Sequence, residues 1–207
     1  MSNSRASSPK LFTAQWLEFS GHQPEGPFET DTELIAAIQH QEKALLNFAD
    51  IHPISHAQLA DLRMHGSIGG AEHEVFVHES DMGKSRVWKF TRKGRWGLLR
   101  ATPLEYLRRL DQLDQISGTH IRVEGIFVDS SAPQIVTSMD YIHGVHANPA
   151  ELHQLLCGMG WEITLDPDNL LSYRHADEEV VMRDAHAKNL ILMESGTVVP
   201  IDAIFIV

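Results

Sequence analysis

Four polar residues near the end of the sequence have the types and the spacing of a phosphotransfer site. Asp184 is followed by His186 after two residues and by Asn189 after five, and Asp202 comes thirteen residues after Asn189. In kinase-type sites an Asp orients or deprotonates the acceptor, and an Asn and a second Asp hold a divalent metal on the nucleotide phosphates. We therefore predict Asp184 and His186 as catalytic residues and Asn189 and Asp202 as metal ligands.

This polar segment lies between apolar stretches that predict short strands. Residues 181–183 and 190–192 are mostly apolar, and a turn at 194–196 separates the second from a third apolar stretch at 198–201. A polar β-turn, in which Asp and Asn bond only their own backbone, has the same appearance. An acidic residue directly after the last apolar stretch, Asp202, favours the functional interpretation.

A cluster of glycines upstream is a candidate phosphate loop. Gly66, Gly69 and Gly70 precede a predicted strand. Glycine matters in such a loop because a side chain would hold the backbone amides away from the phosphate oxygens. A simple turn entering a strand is the alternative.

A lysine on the next strand is a candidate phosphate ligand. Lys89 stands between Trp88 and Phe90, and strand alternation sends it to the opposite face from both. Glu105, on the helix that follows, is the preferred partner that would fix Lys89, with Glu72 as a rival. Glu105 pairing with arginines of its own helix, and Lys89 pointing to water from an edge strand, are the alternatives.

Composition places the chain among ordinary globular proteins. It has 207 residues, of which 43% are hydrophobic and 22% are charged. A single cysteine excludes an internal disulfide framework and favours a reducing, cytoplasmic compartment. Because no apolar run approaches about 20 residues and the N-terminus is polar, we expect neither a membrane span nor a secretion signal.

The net charge of −11 argues against general nucleic-acid binding, but the charge is uneven. Residues 84–109 contain nine basic residues and one acidic residue. We call this segment the basic block. Such a block suits a polyphosphate ligand or a short stretch of nucleic acid, and a solvated surface is the alternative.

The order of predicted elements indicates an α+β fold. Apolar periodicity and capping residues predict helices over about 32–49 and 55–64 and helices that begin near Thr102 and Asn148. The boundaries that we predict are a flexible leader (1–30), a helical extension (31–65), a small lobe with an antiparallel sheet and a helix (66–139), and a hinge with a minimal second lobe (140–207).

Taken in order, these segments resemble the protein-kinase-like superfamily. The segments Gly-Gly-Ala-Glu-His-Glu-Val, Val-Trp-Lys-Phe-Thr, Pro-Leu-Glu-Tyr-Leu-Arg-Arg-Leu and Arg-Asp-Ala-His-Ala-Lys-Asn are similar to those of the small kinase-like domain of bacterial and phage polyvalent proteins. The Asp-x-His-x-x-Asn order also resembles the catalytic loop of phosphoinositide-type kinases. The resemblance covers roughly residues 64–207.

The resemblance implies ATP and magnesium as cofactors. It implies that Lys89 is the nucleotide lysine, that Asp184 is the catalytic Asp, and that Asn189 and Asp202 hold magnesium. Met139 and Tyr141, beside the hinge, would then contact the nucleotide. Asp202 is followed by Ala-Ile where kinases have Phe-Gly, and the sequence continues for only five residues beyond it, so we expect a truncated large lobe.

Three functions follow as hypotheses. The first is an ATP- and magnesium-dependent phosphotransferase, whose acceptor is an unidentified protein or small molecule. The second is a pseudokinase-type module that binds nucleotide or protein without transfer. The third, and least favoured, is a nucleic-acid-associated accessory protein that uses the basic block.

Overall fold

The protein is described by a computed structural model covering residues 6–64, 68–70, 72–79, 84–97, 101–164 and 170–206. These residues form an α+β fold with five α-helices and a mixed sheet. The chain divides into two compact units, Met1–Asp111 with His120–Tyr141 and Gln112–Thr119 with Ile142–Val207. Within the described ranges, every helix is too short or too polar to cross a membrane.

Three helices precede the main sheet: α1 (Pro9–Ser20), α2 (Asp31–Phe48) and α3 (His56–Met64). The helices predicted over 32–49 and 55–64 are confirmed as α2 and α3. Each begins at a reciprocal cap: the Thr30 Oγ1 accepts the Glu33 amide at 3.2 Å while the Glu33 Oε2 accepts the Thr30 amide at 3.1 Å. Ser55 and Gln58 repeat this exchange at α3.

Residues 7–20 correct the prediction of a flexible leader. Ser7 pairs with Val123 of the sheet through two main-chain hydrogen bonds, of 3.1 and 2.7 Å. Phe12 and Trp16 of α1 are fully buried, at 0% exposure. Since α1 packs against α2 and the sheet, this stretch is part of the core of the first unit.

The main sheet has six strands, in the order β1-β5-β6-β4-β3-β2. They are β1 (Pro53–Ile54), β2 (Ile68–Gly69), β3 (His73–Glu79), β4 (Ser85–Thr91), β5 (Arg122–Asp129) and β6 (Ala132–Asp140). The expected antiparallel sheet is in fact mixed, because β1 runs parallel to β5. One face packs on α3 through a core cluster of buried residues, namely Ile54, Leu59, Leu62, Phe76, Phe90, Phe127 and Val136.

Helix α4 (Pro103–Ser117) begins where Thr102 and Pro103 predict it. Near its start Tyr106 is buried and its hydroxyl lies 3.0 Å from the Nε2 of His73 on β3. In the first unit the helix therefore packs against the sheet through a hydrogen-bonded aromatic pair.

The second unit contains helix α5 (Pro149–Gly158), two groups of short strands and a 3₁₀ turn (Ala187–Asn189). One sheet has the order β12-β9-β8-β7, and β10 pairs with β11 as a hairpin. The strands are β7 (Trp161–Thr164), β8 (Ser172–His175), β9 (Val181–Arg183), β10 (Leu190–Leu192), β11 (Val198–Pro200) and β12 (Ile204–Ile206).

Candidate functional site

Asp184 stands directly after β9 in an unusual backbone conformation. Its φ is 53°, in the left-handed region that Asp tolerates better than most residues. The next residue, Ala185, is fully buried, and its amide donates to the carbonyl of Leu171 at 2.8 Å. The hydrogen bond of Ala185 therefore fixes one side of the turn. The Asp184 carboxylate on this turn is half-buried.

Asn189 holds this carboxylate in place. Its side chain is only 8% exposed, and its Nδ2 donates to the main-chain oxygen of Asp184 at 2.9 Å and to Oδ2 at 2.8 Å. A main-chain oxygen can only accept, so chemistry fixes which amide atom faces Asp184. The Asn189 Oδ1 is therefore not the atom that contacts Asp184.

Asp202 is brought beside this pair by the β10–β11 hairpin. Leu190 pairs with Pro200 in the hairpin, and the Ile201 amide donates to the Asn189 carbonyl at 2.9 Å. Asn189 thus enters the hairpin where Asp202 leaves it. Within the second unit, Asp202 therefore follows a residue that is bonded to Asn189, and its charge acts on the Asp184 carboxylate.

His186 lies within reach of the same carboxylate. Its Nε2 is 3.6 Å from the Asp184 Oδ1, which is an ion-pair distance but longer than a good hydrogen bond. The His186 side chain is 46% exposed, and Lys188 is exposed as well. Two basic side chains are therefore presented to solvent on the loop that carries Asp184.

The pKa of Asp184 is raised above its ordinary value. Burial is the main cause, because it disfavours the charged carboxylate, and the nearby negative charge of Asp202 acts in the same direction. His186, the hydrogen bond from Asn189 and Arg183 oppose the rise. A carboxylate with a raised pKa is a stronger base than an ordinary Asp.

The donor set suits magnesium better than a softer metal. Asn189 and Asp202 offer hard oxygen atoms, which magnesium prefers. No group of three or more His, Cys, Asp or Glu side chains that could hold a metal occurs in the described ranges. A magnesium ion held by one or two protein oxygens and completed by substrate phosphates fits such a set.

Lys89, in the first unit, is buried within the sheet. It lies on β4 between Val75 of β3 and Thr137 of β6, and only 8% of it is exposed. Phe90 belongs to the core cluster and Trp88 packs against that cluster, so alternation puts Lys89 on the other face, as predicted. The edge-strand alternative is wrong, because β4 is flanked by strands on both sides.

The glycine turn is described only in part, since Gly66 lies outside the described residues. Gly69 pairs with Glu74 at the start of the sheet. The Gly70 amide donates to the carbonyl of His73 at 3.2 Å, and the Gly70 carbonyl accepts from the Arg92 Nε at 2.9 Å. Gly70 therefore uses its own polar groups to close the turn.

The role predicted for Glu105 needs correction. Its Oε2 accepts from the Thr102 amide at 2.7 Å, and its own amide donates to the Thr102 Oγ1 at 3.3 Å. The carboxylate thus caps α4, and we retain no role for it at Lys89. The rival Glu72 lies near Arg109 of α4, because a Cβ at Gly97 would be 3.9 Å from the Glu72 Oε2 and 3.2 Å from the Arg109 Nη1.

The two residues predicted to contact nucleotide at the hinge differ in exposure. Met139 is buried on β6, whereas Tyr141 is 40% exposed and its amide donates to the Ser85 carbonyl at 3.1 Å. Between them, Asp140 accepts from Arg86 at 2.6 Å and contacts the His120 Nδ1 at 2.7 Å. The sequence did not predict this ion-pair network, which fixes the end of β6.

The sequence also did not predict two residues that join the segment after β6 to the β10–β11 hairpin. Val145 and Leu192 exchange main-chain hydrogen bonds of 3.0 and 2.8 Å. The preceding residue must be glycine, since a Cβ at Gly144 would lie 2.5 Å from both the Ile191 Cγ2 and the Leu192 oxygen. The isolated glycine in a polar connector was the available signal.

Comparison with known proteins assigns no family to this arrangement. No protein-family model matches the chain, and no curated protein matches it significantly. The functional assignment therefore rests on the chemistry of the residues themselves.

Much of the basic block is occupied by contacts within the chain. Three ion pairs, of 2.6, 2.9 and 2.9 Å, join Arg86 to Asp140, Lys93 to Asp129 and Arg108 to Glu25. Arg92 donates to a main-chain oxygen, as described above. An incoming polyanion would have to compete with these contacts, which argues against a dedicated nucleic-acid surface.

Proposed function

We propose that the protein is a kinase-like phosphotransferase that uses ATP and magnesium and transfers the γ-phosphoryl group to a hydroxyl group of a protein or small molecule. The observation that carries this proposal is the pair of hydrogen bonds from Asn189 to Asp184, with Asp202 held alongside by the Ile201 amide. This arrangement joins a base with a raised pKa to two oxygen ligands.

Each residue has a separate task in the proposed reaction. Asp184 accepts the proton of the acceptor hydroxyl. The hydroxyl oxygen forms a bond to the γ-phosphorus, and the bond from that phosphorus to the oxygen that leaves with ADP breaks. Asn189 and Asp202 would hold magnesium through the Asn189 Oδ1 and the Asp202 carboxylate. When bound, magnesium neutralises the charge that develops on the phosphates. Lys89, in the first unit, keeps the role of nucleotide lysine that the resemblance implies, and the steps above use residues of the second unit alone.

The same proposal assigns a kinase-like fold to the chain. In it the six-stranded sheet and α4 correspond to the small lobe, and residues 140–207 correspond to a hinge and a minimal large lobe. We extend it to a relationship with the kinase-like domain of bacterial and phage polyvalent proteins, on the segments quoted above. Use of ATP and a single cysteine, Cys157, fit a cytoplasmic protein.

A pseudokinase-type module is the second candidate. Two parts expected to serve catalysis have structural duties instead, because Gly70 closes its own turn and Glu105 caps α4. A protein of this kind would bind nucleotide without transferring phosphate.

Calorimetric titration with ATP, with and without magnesium, tests the proposal. We expect the wild type to bind ATP only with magnesium, and Asp202→Ala to weaken binding roughly tenfold or more because a metal ligand is lost. Asp177→Ala is the matched control, since it removes an exposed carboxylate of the same unit. No binding by the wild type would overturn both nucleotide functions.

Transfer of radiolabelled γ-phosphate separates the two candidates. Label on the protein itself or on a component of a cell extract, lost in Asp184→Asn, is expected for the phosphotransferase. Magnesium-dependent binding without any transfer would leave the pseudokinase.

A further inference from the structure

The imidazole of His146 reaches the loop that carries Asn189. Its Nδ1 lies 2.9 Å from the carbonyl oxygen of Ala187 and 3.1 Å from that of Leu190. These two carbonyls stand on either side of Asn189, at the beginning of the 3₁₀ turn and at the first residue of β10. One ring nitrogen therefore contacts the backbone on both sides of Asn189, and this backbone sets the direction of the Asn189 side chain.

The chemistry of the partners fixes the tautomer. Both partners are carbonyl oxygens, which only accept, so Nδ1 must carry the hydrogen. A single N–H shared between two carbonyls is a three-centre hydrogen bond.

His146 is itself held from both directions along the chain. Val145 before it is paired with Leu192, Ala147 after it is buried, and the Asn148 Oδ1 accepts the Glu151 amide at 2.9 Å to start α5. With so few conformations open to its backbone, His146 needs little additional ordering to make its contact.

We propose that His146 is a positioning residue of the phosphotransfer site, acting through Asn189. This inference rests on the proposed function. By holding the carbonyls of Ala187 and Leu190, His146 keeps the Asn189 amide nitrogen directed at Asp184. Without it the turn keeps the bond from the Ile201 amide but loses the contacts at Ala187 and Leu190, and the Asn189 side chain is less firmly fixed.

Substitutions at His146 test this role by exchange of the Asn189 side-chain amide protons, followed by NMR. His146→Ala is expected to speed that exchange. It should also weaken magnesium–ATP binding by roughly tenfold, as is typical when support for a metal ligand is removed. His146→Asn places an amide nitrogen where Nδ1 stands and should restore both values to within about threefold. His146→Gln places its nitrogen near Nε2 instead and should not restore them.

His153→Ala is the matched control, because His153 contacts Tyr173 and Cys157 in the same unit and not the 3₁₀ turn. Unchanged Asn189 exchange in a folded His146→Ala variant would overturn the inference. If His146→Ala fails to fold, the comparison of His146→Asn with His146→Gln tests the inference instead. Equal Asn189 exchange in these two variants would overturn it.

The two measurements separate this inference from the proposed function. Absence of magnesium–ATP binding by the wild type defeats the proposed function, and with it the role of His146 in phosphotransfer. The exchange measurement in the same samples still shows whether His146 orders Asn189. Normal binding by the wild type with unaffected variants defeats the inference alone.

Discussion

Asn189 holds Asp184 by one nitrogen, which donates to the main-chain oxygen at 2.9 Å and to the carboxylate at 2.8 Å. The first bond stabilises a left-handed backbone at Asp184, and the second orients its side chain. Rotation of the Asn189 amide would lose both bonds at once. Backbone shape and carboxylate direction are therefore coupled through a single buried group.

Replacing Asn189 tests this coupling. Asn189→Ala should lower the free energy of unfolding by about 1–3 kcal/mol, because two hydrogen bonds are lost in a largely buried place. Asn189→Asp should be at least as damaging, since it sets a second carboxylate against Asp184. Denaturant unfolding measures the change, and Asn47→Ala, at an exposed position of α2, is the control. Equal stability of Asn189→Ala and the control would contradict the coupling.

Asp184→Asn should separate stability from activity. The pKa of Asp184 is raised in the folded protein, so the charged carboxylate opposes folding once the pH exceeds the folded pKa. This cost is absent below the unfolded pKa, where the carboxyl is protonated in both states. Because Asn keeps the acceptor for Asn189 and tolerates a positive φ, the variant should melt higher than the wild type at pH 7.

That stabilisation should shrink as the pH falls towards 4, since the wild-type carboxyl then takes up its proton. Thermal unfolding between pH 4 and pH 8 measures the trend, with Asp177→Asn as the exposed control. Phosphate transfer should fall by about 10²–10⁴-fold, the usual contribution of a general base. A gain in stability that grows at low pH would contradict the burial of the charge.

Gly144→Ala should destabilise the second unit. A methyl group there would meet the Leu192 oxygen at 2.5 Å, and a main-chain atom of a paired strand has little room to move. We expect a loss of about 1–3 kcal/mol, the usual cost of overpacking. Gly158→Ala is the matched control, since no described residue lies within 4 Å of its Cβ position in α5. That control should be neutral or stabilising by up to about 1 kcal/mol.

Trp16 tests whether the N-terminal helix belongs to the core. Trp16→Ala should cost about 3–5 kcal/mol, as for other large buried aromatic side chains. Trp16→Phe should cost much less, because it keeps most of the apolar volume and removes an Nε1 that is buried without a hydrogen-bond partner among the described residues. Chemical denaturation compares both with the exposed control Phe19→Ala. A neutral Trp16→Ala would restore the flexible-leader interpretation.

Helix starts were the most predictable part of the fold, because they depend on residues a few positions apart. Thr30, Ser55, Thr102 and Asn148 each cap a helix near where the sequence places it. The start of α1 carried the same signal, since the Ser8 Oγ accepts the Leu11 amide at 3.3 Å and a proline follows Ser8. Because the residues around this start are polar, the sequence did not predict α1.

Contacts between distant residues were not predictable. The parallel pairing of β1 with β5 joins two residues of a short strand to a partner some 70 positions away, and no local pattern encodes it. Glu105 could equally have capped α4 or paired with a lysine, and only the folded geometry shows the cap. In the candidate site, spacing singled out Asp184, Asn189 and Asp202, whereas the contacts of His146 with Ala187 and Leu190 depend on the folded chain.

The β10–β11 hairpin carries both proposed metal ligands at its open end, Asn189 before the first strand and Asp202 after the second. Its closed end, at Ser195 and Gly196, is exposed, and no described residue lies within 4 Å of the Gly196 Cβ position. The number of residues between Asn189 and Asp202 can therefore change with the length of the loop tip while the site stays the same. Related proteins should conserve the strand register beside Asn189 while the tip varies in length, and a label inserted at the tip should leave the ligands undisturbed.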